Sequence, residues 1–239
     1  MKRAIVLSFL IALCVVKVTS QRPKTLRVID DLRNTEPYHK SYRDFVLEEL
    51  NKARLSASDV TSDFYQNMAN VKESYVKLAL DGEESLLDDV DRNVGDSACL
   101  DFIRNSTEHN MYMAGIYFTN CIDELDVKLS AETSSVYLEM QQDERSYINN
   151  KLLDVFRREN MVLDPETISN KFEKKQESLK SLPTGVVSKL ASIVNRYRDR
   201  LVSVRNLYEQ CLINNKNLLD LIFENTGRQL ATICRHRVV

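Results

Sequence analysis

The sequence predicts an all-α fold, an elongated antiparallel helical hairpin or bundle with coiled-coil-like packing, stapled by two disulfides. Three observations point there. Turn formers are scarce, apolar residues recur at steps of three and four over long stretches, and four cysteines stand in two pairs of nearly equal spacing. The 239 residues include only five Gly, four Pro and no Trp, against a background of about 7% Gly and 5% Pro. That is too few turn residues for the many strand–helix junctions of an α/β fold. An apolar fraction of 43% with a net charge of −2 also excludes a disordered chain.

The first twenty residues read as an address. Lys2 and Arg3 precede an apolar run from Ala4 to Val16, and Val18-Thr19-Ser20 closes it with small residues, the pattern of a secretory signal peptide. The run is too short to span a bilayer, which takes about 20 residues, and Lys17 interrupts any extension. Cleavage after Ser20 would remove three cations, leaving 30 basic against 35 acidic residues, a net charge of −5. This balance argues against a non-specific nucleic-acid binder. The expected organisation is a signal peptide (1–20), an N-terminal amphipathic helical region with an acidic linker (21–96), a four-cysteine helical domain (97–236) and a short tail (237–239).

Within the N-terminal region, a helical stripe runs from Tyr42 through Val46, Leu50, Ala53 and Ala57 to Tyr75 and Leu78. Asp81-Gly82 is expected to stop it, with residues 83–97 as the acidic connection. A second stripe begins near Ala98, passes Cys99, Ile103, Met113, Tyr117, Cys121, Leu125 and Leu129, and fades towards Val155. Pro165 then opens a Lys- and Glu-rich helix that Leu182-Pro183-Thr184-Gly185 breaks near Ser181. The last arm is the most regular. Val186, Leu190, Ile193, Tyr197, Leu201, Val204, Tyr208 and Cys211 approach a heptad, which Leu218, Ile222, Leu230 and Ile233 extend.

With Cys14 in the signal segment, Cys99, Cys121, Cys211 and Cys234 remain, an even number suited to two structural disulfides. Cys99 and Cys121 are 22 residues apart, and Cys211 and Cys234 are 23. On one straight helix each pair would be separated by about 33 Å, far beyond the roughly 7 Å that a disulfide tolerates between Cα atoms. Bonding within either pair is therefore excluded while the helices persist. Antiparallel arms give Cys121–Cys211 and Cys99–Cys234, whose residue numbers add to 332 and 333 and centre the hairpin near residue 166. Leu163-Asp164-Pro165-Glu166-Thr167 lies at that point, with an N-cap residue, a first-turn proline and an acidic first turn. The parallel pairing, Cys99–Cys211 with Cys121–Cys234, fits the spacings equally but needs a long crossover. The antiparallel one is favoured.

Few other features carry chemistry. Asp88 to Asp96 resembles a calcium loop only superficially. Counted from Asp89, the sixth position is Val94 where glycine is required, and the twelfth is Leu100 where a bidentate Glu is required. A solvated acidic linker is the simpler reading. Asn105-Ser106-Thr107 is the one N-glycosylation sequon, and its use would require that helix face to be exposed. Arg196, Arg198, Arg200 and Arg205 form the densest basic stretch. Arg196 and Arg200 share a face that could meet a phosphate, a sulfated glycan or a carboxylate, and an ordinary solvated face is the alternative. His39, His109 and His236 are scattered, and neither a C-x-x-C metal pair nor a serine-hydrolase, zinc-protease or phosphate-loop motif is present. No metal, cofactor or catalytic residue is expected.

Cys99-Leu100, Gly115, Asn120-Cys121, the run Asn206 to Cys211 and Thr232-Ile233-Cys234 together resemble the tsetse EP domain family of secreted, four-cysteine insect proteins. The resemblance covers residues 97–236 and lacks the Glu-Pro repeats of the family's namesake. It implies secretion and a role in gut, immune or reproductive fluid, with the four cysteines as structural bridges and no catalytic residues. The expected function is non-enzymatic: an extracellular helical interaction protein for a protein or glycan surface, without nucleic acid or stable membrane insertion. The alternative is a carrier of a small hydrophobic ligand between its helices, with Tyr112, Met113, Ile116, Tyr117, Phe118 and Ile122 lining the pocket. Packing of those residues against the other helices is the simpler alternative. The stripe of residues 42–78, held by no disulfide, is expected either to dock on the hairpin or to pair with a second copy.

Overall fold

The computed structural model describes the backbone of residues 2–148 and 151–234, and the side chains of residues 24–147 and 151–234. The side chains of the expected signal segment and the whole of the tail 237–239 lie outside these. Four α-helices carry the fold: α1 (Lys2–Arg92), α2 (Ser97–Ile148), α3 (Pro165–Lys180) and α4 (Gly185–Thr232). A short 3-10 helix, Leu152–Phe156, lies between α2 and α3, and no β-strand is present among the described residues. The protein is all-α and stapled by two disulfides. Its residues form two compact units, Met1–Arg54 with Leu138–Ile193, and Leu55–Tyr137 with Val194–Val239. The expected boundary at 96/97 is the turn between α1 and α2 inside the second unit.

In the second unit α1, α2 and α4 pack as three helices. Asp91 on α1 pairs with Arg104 on α2, which sets those two antiparallel. Leu86 lies near Gly227, and Phe223 near Gly82, which sets α1 and α4 parallel. The cysteines pair as the antiparallel register requires: Cys99–Cys234 and Cys121–Cys211, with Cα atoms 5.5 and 5.9 Å apart. Tyr197 is fully buried, and its hydroxyl lies 2.8 Å from Thr61 Oγ1 and 3.0 Å from Thr133 Oγ1. One phenol thus joins all three helices, and its polar end is satisfied where an unpaired hydroxyl would be costly.

Three expectations need correction. First, α1 does not stop at Asp81-Gly82 but continues to Arg92, burying Leu86 and Val90. Gly82 serves packing there, since a Cβ in its place would lie 3.1 Å from the Phe223 ring. The acidic stretch is therefore helix for most of its length, and its charges are used. Arg92 pairs with Asp88 at 3.1 Å, and Asp96 Oδ2 accepts from the Cys99 N–H at 3.2 Å. Second, the apolar face of α4 slips by one residue after Cys211. Leu212 and Leu219 are buried whereas Leu218 is 44% exposed. At 3.6 residues per turn, a strict seven-residue repeat drifts around the helix, and the buried face follows the neighbours.

The third correction concerns the cap and the arms of the chain reversal, not its place. The turns at 157–158 and 161–163 lie just before Pro165, where the reversal was expected, but the arms are not one continuous pair: α2 ends at Ile148 and α4 starts at Gly185. The intervening segment builds the first unit's core, where Ile168 and Phe172 of α3 are buried with Val28 of α1 and Val155. The Phe156 and Phe172 rings meet edge to face at 5.5 Å. Pro165 does occupy the first turn of α3, but the Asp164 side chain makes no cap bond to that turn. Its Oδ2 instead accepts from the Asn160 N–H at 3.3 Å. Lys24 holds Glu166 at 2.6 Å and Arg27 reaches Glu173 at 3.4 Å, so α3 runs parallel to α1. Of the stripe of residues 42–78, the part from Val46 to Met68 packs within the chain, whereas Leu78 is 46% exposed. Val46, Leu50, Ala53, Ala57, Val60, Phe64 and Met68 are all buried within the chain, because that face meets the chain's own apolar surface.

Candidate functional site

The second unit carries a cleft of about 210 Å³ with α1 as one wall and α4 as the other. Buried Val60, Phe64 and Leu201 give it an apolar floor. Arg198 and Arg205 stand on the α4 wall, with Val202 half exposed between them; Asp63 and Asn67 stand on the α1 wall. Seven residues of helix separate the two arginines by about 10.5 Å along the axis. Each head group is steadied from its own helix. Arg198 Nη1 donates to Asn195 Oδ1 at 3.2 Å, and Arg205 Nε lies 3.0 Å from Glu209 Oε1. Two guanidinium groups beside an apolar floor suit an acidic ligand that also offers apolar surface, because each fork matches a carboxylate or sulfate.

Of the arginine-rich stretch, Arg198 and Arg205 line the cleft, and Arg196 and Arg200 do not. Arg200 turns away from the cleft and pairs with Glu132 of α2 at 2.6 Å. Arg196 is absent from the cleft lining. The two arginines that line the cleft are one heptad apart, because α1 flanks that edge of α4.

Two other clefts lie in the first unit. One, of about 260 Å³, is lined by Asp31, Asn34, Thr35 and Tyr38 opposite Phe172, Glu173 and Gln176. Asp31 accepts from Ser169 there. The other, of about 470 Å³, has Lys40, Asp44 and Glu48 beside Pro37, Phe45 and Leu182.

The residues expected to line a ligand pocket are dispersed. Tyr112 is 68% exposed and Ile116 and Tyr117 are also exposed, whereas Met113, Phe118 and Ile122 are half-buried. Phe118 packs against Ala79, Ala114 and Leu219, the core contact that was the alternative for this stretch. None of the six lines any of the three clefts. Asn105 is exposed, whereas Thr107 of the same sequon is fully buried and donates its hydroxyl to the Ile103 carbonyl at 2.9 Å.

Sequence reasoning missed Asn215. It sits on the inner side of α4 beside the Cys121–Cys211 bridge, with Nδ2 3.0 Å from Cys121 Sγ and 3.3 Å from the Tyr117 carbonyl oxygen. A polar residue one turn after Cys211, where the stripe expects an apolar one, was the available signal. Among the described residues no helix is long and apolar enough to cross a membrane, and no group of three or more His, Cys, Asp or Glu is placed to hold a metal ion. Comparison with protein-family models, with curated proteins and with solved structures gave no match.

Proposed function

We propose that this chain is a secreted, non-enzymatic helical interaction protein that engages an acidic protein or glycan surface through the α1–α4 cleft. The observation that carries this reading is the Arg198–Arg205 pair beside the apolar floor of Val60, Phe64 and Leu201. Secretion is supported by the signal-like pattern of residues 1–20 and by two disulfides, which persist in oxidising compartments. Secretion also makes Asn105 an N-glycan acceptor. The kinship with the tsetse EP domain family rests on the cysteine spacing.

The test uses two probes, a heparin hexasaccharide and a glutamate-rich peptide with interspersed leucines, titrated against the secreted protein. At least one binds, more weakly as salt rises. The double variant Arg198→Glu/Arg205→Glu lowers that affinity by about tenfold or more, since opposed charges become like charges. Failure of both probes, or binding that the double variant leaves intact, overturns the reading.

A further inference from the structure

One exposed face of α2, turned away from the core of the second unit, carries Phe102, Tyr112 and Ile116 among polar residues. Phe102, Asn105, His109, Tyr112 and Ile116 follow one another at steps of three and four, so they share a single helix face. Ile103, Thr107, Ala114 and Cys121 form the opposite, buried face. On the outer face Phe102 is 63% and Tyr112 68% exposed, and Ile116 is exposed as well. Phe102 and Tyr112 are thus exposed aromatic side chains on the same helix face as the sequon asparagine. The sequon asparagine lies in the middle of this row, one turn after Phe102 and two turns before Tyr112.

We infer that an N-linked glycan on Asn105 is the cover for this stripe, with Phe102 and Tyr112 as the aromatic platforms against which its first sugars lie. The inference rests on the secretory reading proposed above. A sugar ring presents a C–H face that packs on aromatic surface, while its hydroxyls stay in water. An attached glycan therefore screens these exposed apolar side chains without altering the helix. Attachment forms a bond from Asn105 Nδ2 to C1 of an oligosaccharide carried on a lipid diphosphate. The C1–O bond to the diphosphate breaks, the lipid diphosphate leaves, and one amide proton is released.

The geometry also orders this step in time. Thr107 is fully buried, and its hydroxyl is committed to the Ile103 carbonyl. A transferase that must read the threonine hydroxyl has access to it only before α2 packs, so the glycan is added to the unfolded chain and not to the folded protein.

The experiment expresses the full chain in a eukaryotic secretory host and weighs the secreted product before and after peptide-N-glycosidase treatment. The expected result is loss of one glycan mass with conversion of Asn105 to aspartate, and no such change in Asn105→Gln. Enzymatic removal from folded protein then raises binding of an apolar dye about threefold or more, or produces concentration-dependent self-association. The triple variant Phe102→Ser/Tyr112→Ser/Ile116→Ser abolishes that gain. Refolded, unglycosylated protein offered to the transferase with its lipid-linked donor stays unmodified, whereas the unfolded, reduced chain is modified. A secreted product bare at Asn105 overturns the inference and leaves secretion standing; absence from the medium overturns the secretory reading first, and this inference with it. A glycosylated product whose dye binding and association do not change on deglycosylation overturns the covering role. Modification of the folded chain overturns the ordering.

Discussion

Gly95, in the turn between α1 and α2, lies against the carbonyl oxygen of Cys234 so closely that a Cβ would overlap that oxygen. The contact closes the end of the second unit, beside the Cys99–Cys234 disulfide and the buried cluster of Val90, Ile103 and Leu230. Backbone cannot yield as a flexible side chain would. Gly95→Ala is therefore expected to cost about 2 kcal/mol or more of stability and to slow oxidation of Cys99 with Cys234. Urea unfolding and a timed thiol count on refolding measure the two effects; an unchanged midpoint would contradict the close approach.

The shared hydroxyl of Tyr197 gives a second prediction. Tyr197→Phe keeps the ring in the core but leaves the hydroxyls of Thr61 and Thr133 without their common partner. Thr61 retains a bond to the Ala57 carbonyl at 2.9 Å, which softens the loss. A destabilisation of about 1–2 kcal/mol is expected. Adding Thr133→Val should recover part of it, because that variant removes a stranded polar group. A double-mutant cycle by chemical denaturation checks both statements.

Removal of the Cys121–Cys211 bridge should act mainly through the unfolded state. It closes a sequence separation of 90 residues, for which loop-closure entropy gives about 4–5 kcal/mol. In Cys121→Ser/Cys211→Ser, amide exchange should accelerate in the second unit, within residues 55–137 and 194–234. The α3 amides, whose core of Val28, Val155, Ile168 and Phe172 contains no disulfide, should keep their protection. Uniform acceleration would show that the two units unfold together.

The fold is expected to weaken in alkali through Tyr208. Burial holds this phenol above its ordinary value of 10.0, so the native state favours the protonated form more than the unfolded chain does. That contribution is complete below about pH 10 and is lost as pH rises through the higher folded value. Absorbance near 295 nm should show a late phase to which Tyr208 contributes together with Tyr42, whose phenol is also raised by burial. Tyr208→Phe should reduce that late phase by one tyrosine and lessen the dependence of stability on pH above 10. A smaller late phase without any change in the stability profile would rule out the linkage.

The long helices and the disulfide pairing were legible for related reasons. Helix rise separates Cys99 from Cys121 too far to bond, so only pairing between the arms remains, and the reversal implied by Leu163 to Thr167 favours the antiparallel choice. The candidate site was legible only in part. The arginine-rich stretch is plain in the sequence, but the choice of Arg198 and Arg205 depends on which edge of α4 adjoins α1, and on Glu132 engaging Arg200. The acidic stretch after Gly82 was misread because a local rule, that Gly ends helices, yields to a tertiary contact. Phe223, 141 residues further on, occupies the space that the missing side chain leaves.

By itself the sequence determined the helical class and favoured the observed pairing of the cysteines, because periodicity and helix rise are properties of the local chain. Tertiary structure alone decided that α1 runs on to Arg92, that α3 fills the first unit's core, and that Thr107 is buried while Asn105 is exposed. Each of these depends on a partner distant in the chain, and burial beside that partner outweighs the small local preferences by which a sequence is read.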